Sequence, residues 1–105
     1  MTDRFYRITL RTPLGLRSGT MFFHHDSGNV NGWLSVMGQK VPFDGVLLPD
    51  GVCQLMGQLI TTVRTIPYHA EGKVSDACLN LVLQSTRDHL TLTGTAFVPK
   101  EEELK

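Results

Sequence analysis

His89-Leu90-Thr91-Leu92-Thr93-Gly94-Thr95-Ala96-Phe97-Val98 decides the fold. Leu90, Leu92, Gly94, Ala96 and Val98 alternate with His89, Thr91, Thr93, Thr95 and Phe97, the period of two that sends successive side chains to opposite faces of a strand. One member of the apolar set is a glycine, which weakens a strand interior and therefore needs a structural reason.

The same Gly-x-apolar step occurs six times: Gly19-Thr20-Met21, Gly32-Trp33-Leu34, Gly45-Val46-Leu47, Gly57-Gln58-Leu59, Gly72-Lys73-Val74 and Gly94-Thr95-Ala96. The first four lie about 13 residues apart, the length of one strand and its turn, so each falls inside a strand. By alternation each glycine shares a face with the apolar residue after it and with Val30, Phe43, Leu55, Tyr68 or Leu92 before it. A glycine facing the core lets a strand coil sharply and lets its neighbours close in, which is how small barrels turn their corners.

The rest of the chain fits this frame. Tyr6, Ile8 and Leu10 alternate with Arg7, Thr9 and Arg11 in a first strand. Pro13-Leu14-Gly15 leads to a second strand over Leu16 to His25, and Asp26-Ser27-Gly28-Asn29 turns the chain again. A third strand runs from Val30 to Met37, with Gly38-Gln39 as a tight connection to a fourth from Lys40 to Leu48, closed by Pro49-Asp50-Gly51. A fifth starts at Val52, a sixth ends near Val74, and Ser75-Asp76-Ala77 introduces a seventh over Cys78 to Ser85. Thr86-Arg87-Asp88 leads to the eighth. Thr61 to Thr65 holds no turn-forming residue, so strands five and six read equally as one long bent strand, and Pro67 marks a bulge or an edge there. The expectation is an all-β antiparallel meander of about eight short strands, forming a small barrel or a strongly curved sheet. It occupies 1–99 as one domain, with 100–105 a charged tail that has nothing to bury.

With eight meandering strands and Gly-x-apolar steps over residues 5–98, the sequence resembles the calycin class of small up-and-down barrels, which includes the lipocalin-like and avidin-like folds. Such barrels often carry a Gly-x-Trp step on the first strand. Here Gly32-Trp33 sits on the third, and Trp33 points outward. The resemblance implies an architecture and no particular ligand-binding residue.

Composition narrows the function. Ten basic and ten acidic residues cancel, leaving no net field to hold nucleic acid or an anionic membrane. Arg7 and Arg11, with Arg4 and Arg17 nearby, form a local positive stripe beside Phe5 and Trp33, but in a neutral chain this reads as a solvated face. No apolar run of membrane or signal-peptide length is present, which predicts a cytoplasmic location. Cys53 and Cys78 fall on opposite faces and should remain free thiols, and without a Cys-x-x-Cys pair no zinc site is expected. His24-His25-Asp26 is the densest cluster of metal-ligating types, yet neighbours on a strand point opposite ways. His69 near Glu71 and His89 beside Asp88 lack a nucleophile in a recognisable setting. No catalytic residue, cofactor site or metal site is assigned.

Two candidate sites remain. Phe22, Trp33 and Val46 face outward on consecutive strands, an apolar load that suits a subunit interface. Tyr6, Phe23, Phe43 and Tyr68 face inward and would line any ligand cavity. The sequence therefore points first to a non-enzymatic binding or homo-oligomeric assembly module and second to a carrier of a small apolar ligand. An enzyme using the histidines comes third.

Overall fold

The computed structural model describes residues 2–60, 63–86 and 89–98. Eight strands follow one another: β1 (Thr2–Thr12), β2 (Gly15–Asp26), β3 (Asn29–Val36), β4 (Gln39–Leu47), β5 (Val52–Ile60), β6 (Thr65–Val74), β7 (Cys78–Gln84) and β8 (His89–Phe97). Each pairs antiparallel with its neighbours in sequence, and β8 pairs with β1, so the meander closes into a barrel in which every strand has a partner on both sides for part of its length.

Turn chemistry sets the hairpins. Ser27 and Gly28 both have positive φ, 52° and 89°, the two-residue type I′ geometry whose twist matches that of the flanking strands. The next turn uses Met37 (φ 55°) and Gly38 (φ 77°). The tight connection is therefore Met37-Gly38 rather than Gly38-Gln39, because the register Val36 opposite Gln39 puts Gln39 in the ladder. Between β6 and β7 the Ser75 hydroxyl oxygen accepts from the amides of Ala77 and Cys78, at 3.3 and 3.2 Å, fixing a compact turn. The stretch with no turn residues does separate two strands: β5 and β6 pair from Val52 opposite Lys73 to Ile60 opposite Thr65. Positions 61 and 62 lie outside the described residues, as do 87, 88 and the charged tail. Pro67 stands opposite Gln58 on a part of β6 that has no partner in β7, whose pairing begins only at His69, so Pro67 lies on a local edge.

All six strand glycines sit between two inward apolar residues on the adjacent strands. Gly32, for example, lies between Phe23 and Phe43, and Gly57 between Phe43 and Tyr68. A Cβ on Gly32 would run into the carbonyl oxygen of Phe22, so the strands approach too closely there for any other residue. At Gly57 the obstacle is a side chain, the Tyr68 hydroxyl 2.7 Å from the Cβ position. The apolar residues between these glycines make one continuous interior, with Leu10, Met21, Leu34, Leu55, Leu81 and Leu92 almost inaccessible to water.

Candidate functional site

The barrel has two ends. At one, which we call the mouth, lie the β2–β3, β4–β5 and β6–β7 turns and the start of β1. Alternation carries the inward row of β1 from Ile8 through Tyr6 to Arg4, and that of β2 from Phe23 to His25, so the lining turns polar as the strands reach the rim. The result is a cavity of about 190 Å3 with Tyr6 and Phe23 at its floor, Leu47 and Val74 on its walls, and Arg4 and His25 at its rim.

The turn between β6 and β7 crosses over this cavity. The Tyr6 hydroxyl donates to the Ser75 carbonyl at 2.6 Å, and Arg4 Nη2 meets Asp76 Oδ1 at 2.8 Å. The amide of Ala96 donates to the Ala77 carbonyl at 2.8 Å, tying the same turn to β8. Burial pushes the Tyr6 phenol pKa up, with the Arg4 guanidinium opposing in part. Tyr6 is thus a neutral donor committed to Ser75.

Of the four aromatics expected to line a cavity, three stack into a column that fills the barrel from the mouth inward. Tyr6 meets Phe23 edge-on at 5.5 Å, and Phe23 meets Phe43 at 5.1 Å. Tyr6 and Phe23 therefore line the open mouth, and Phe43, packed against Phe23, does not. Tyr68 lies toward the other end. It is 6% exposed, its hydroxyl has no hydrogen-bond partner among the described residues, and burial raises its pKa to about 12. The strand pattern did not single out Arg4, His25, Ser75 or Asp76. The signal for the first two was present, since Arg4 is two positions from Tyr6 and His25 two from Phe23.

On the outer wall the register lines up Phe97, Phe5, Phe22 and Trp33 on four consecutive strands, β8, β1, β2 and β3. Ring centroids are 6.1, 4.9 and 5.9 Å apart along this row, and Pro42 on β4 continues it opposite Trp33. Phe22 and Trp33 belong to this row, but Val46 does not: it pairs with Asn29, four residues along β4 from Pro42. The row is capped by cations, with the Arg7 guanidinium 4.1 Å from the Phe97 ring centre and Lys40 Nζ 4.2 Å from that of Trp33. Arg4 leaves the expected basic stripe by turning into the mouth.

The remaining chemistry is dispersed. Cys53 is buried and Cys78 exposed, both free, and burial raises the Cys53 thiol to about 12. His24 points outward to Asp3, Nδ1 to Oδ1 2.6 Å, while its neighbour His25 faces the mouth. His69 Nδ1 stands 4.0 Å from Glu71 on the outside of β6. Among the described residues no three of these types gather where a metal could be held.

The sequence matches no protein-family model and no curated protein. Two solved structures share the architecture. A redesigned β-barrel aligns with a TM-score of 0.59 at 13% identity, covering 91% of this chain and 90% of that one. A second redesigned β-barrel, mFAP0, bound to DFHBI, aligns with a TM-score of 0.50 at 14% identity, covering 90% and 95%. The likeness is one of fold: an eight-stranded antiparallel up-and-down barrel.

Proposed function

We propose that this barrel is a non-enzymatic binding module that takes one small ring-shaped ligand at its mouth. The observation that carries the reading is the cavity of about 190 Å3 floored by Tyr6 and Phe23, where the filled aromatic column stops and the lining turns polar. A dry cavity of roughly 150 Å3 accepts a benzene molecule, so the mouth has room for one ring and a small substituent. The carrier reading thus moves from the interior, which side chains occupy, to the rim. The neighbouring barrel mFAP0, bound to DFHBI, supports the idea that this wall can hold a small molecule. So does the resemblance to calycin-type barrels. Titration with benzyl alcohol, followed by amide chemical shifts, tests it. Saturable shifts at Tyr6, Phe23 and Val74 are expected. Shifts that do not saturate, or that centre on the far end, would overturn it.

A second reading, homo-oligomeric assembly, is favoured by the outer aromatic row. The register places Arg7 and Lys40 on one side of that row, and Asp3 and Asp44 on the other, with one of each on β1 and on β4. A two-fold axis along the row brings Arg7 of one copy over Asp3 of the second and Lys40 over Asp44, whereas an axis along the strands sets like charges together. Light scattering should find a dimer in the parent and a folded monomer after Trp33→Asp. A monomeric parent, or a variant that stays dimeric, rules this surface out.

A further inference from the structure

The ion pair at the rim gives the mouth a chemical preference. Arg4 reaches the cavity from β1, and Asp76 reaches it from the turn that crosses above, so the carboxylate of Asp76 already occupies the place where a bound anion would meet the guanidinium. The two differ in how firmly they are held. The Arg4 side chain is 36% exposed and rises from β1 at a position paired with Phe23 of β2, whereas that of Asp76 is 86% exposed on a turn. The turn itself does not depend on Asp76. Its backbone is fixed by the Ser75 hydroxyl, by the Tyr6 hydroxyl on the Ser75 carbonyl and by the bond from Ala96 to Ala77. The Asp76 side chain can therefore swing into water while its turn stays in place.

We propose that the mouth selects a small aromatic carboxylate, whose carboxylate displaces Asp76 from Arg4 while its ring lies on Tyr6 and Phe23. This rests on the mouth being the binding site. A planar guanidinium pairs with a carboxylate through two parallel hydrogen bonds, which a neutral polar group cannot reproduce. The exchange is favourable because an exposed ion pair contributes little, and the incoming carboxylate restores it while its ring leaves water. Tyr6 does not compete for the anion, since its proton is committed to Ser75. Asp76 thus acts as a built-in competitor that sets the affinity.

The test uses two probes, benzoate and benzyl alcohol, titrated into the parent, Asp76→Asn and Arg4→Met, with binding read from amide shifts. Asp76→Asn should tighten benzoate on the order of tenfold by removing the competitor, and leave benzyl alcohol within about twofold. Arg4→Met should abolish the advantage of benzoate over the alcohol. Melting curves of both variants establish that the barrel is intact. If benzyl alcohol binds at the mouth but benzoate is no tighter and Asp76→Asn changes nothing, the anion preference is wrong and the mouth reading stands. If neither probe binds the parent or Asp76→Asn, both are wrong.

Discussion

Each end of the barrel brings one tyrosine inside, and the two hydroxyls meet different fates. At the mouth, Tyr6 donates to the Ser75 carbonyl because the β6–β7 turn crosses above it. At the other end, Tyr68 has no partner among the described residues. The ladders explain the difference. β4 and β5 pair only from Phe43 opposite Gly57 to Leu47 opposite Cys53, so 39–42 and 58–60 have no partner across that seam. β6 likewise begins four residues before its pairing with β7. Where these strands diverge, the described residues present no backbone carbonyl to the inward hydroxyl, and Tyr68 lies over Gly57 instead. At the mouth the inward hydroxyl is thus satisfied by the β6–β7 connection, and a polar group fixed in this way suits that end to hold a ligand in a fixed geometry.

The largest expected effect contrasts the glycines of the two regions. Gly32→Val would push a branched side chain into the backbone of β2 and toward the Phe43 ring, and should cost about 3 kcal/mol or more in urea unfolding. Gly57→Ala meets side chains instead of backbone, the tip of Tyr68, which can turn aside, and the Phe43 Cβ at 3.2 Å, and should cost about 1 kcal/mol. Equal losses would mean that the two contacts are alike after all.

Alkaline unfolding gives the next contrast. Burial raises Cys53 from 9.0 to about 12 and Tyr68 from 10.0 to about 12, so the folded protein retains protons that the unfolded chain has released in this range. Their contribution is complete below about pH 9 and is lost as pH rises toward about 12, with Tyr68 accounting for about 2 to 3 kcal/mol at the top. Tyr68→Phe should remove the part that begins near pH 10, while the contributions of Cys53 and Tyr6 persist. An unchanged pH profile would mean that the Tyr68 hydroxyl is solvated.

The smallest effect is the most direct. At neutral pH Tyr6→Phe should destabilise by about 1 kcal/mol, because the Ser75 carbonyl loses its donor. Tyr68→Phe should be neutral or stabilise by about 1 kcal/mol, because it removes a buried hydroxyl without a partner. Thermal denaturation of the pair decides whether the two ends differ in this way.

Alternation made the wall legible, since the inward and outward sets of β1, β2 and β8 follow from period two, save that Val98, read as inward, lies past the end of β8 and is exposed. The core-facing glycines were legible for the same reason, and the close approach of neighbouring strands that they implied is present in the closed barrel. Register between strands was not. Phe22 and Trp33 adjoin because the two-residue turn at Ser27-Gly28 fixes their offset, and Val46 drops out because the Met37-Gly38 turn sits one position earlier than its glycine suggested. A methionine at positive φ carries no advance signal, because it is held there by the hairpin rather than by its own preference. The mouth was legible only in part: alternation places Arg4 and His25 inward, but no pattern shows that an inward row has reached the rim. Asp76 joins them through a turn 72 positions away from Arg4, a contact that only the closed barrel creates.

Seven of the eight seams in the wall are bridged by a short connection, and the eighth, between β1 and β8, joins residues 80 to 92 positions apart. Closing so long a loop costs about 3 kcal/mol more chain entropy than closing a hairpin. That seam is therefore the last to gain from forming, and its strands wait on the rest of the meander. Once shut, however, it is a seam like the others, with Tyr6 opposite Ala96 as regularly as Tyr6 opposite Met21. The finished wall keeps no memory of which strand came first: a circular permutant relinked across β8 and β1 and opened at a hairpin would reach the same barrel by a different route.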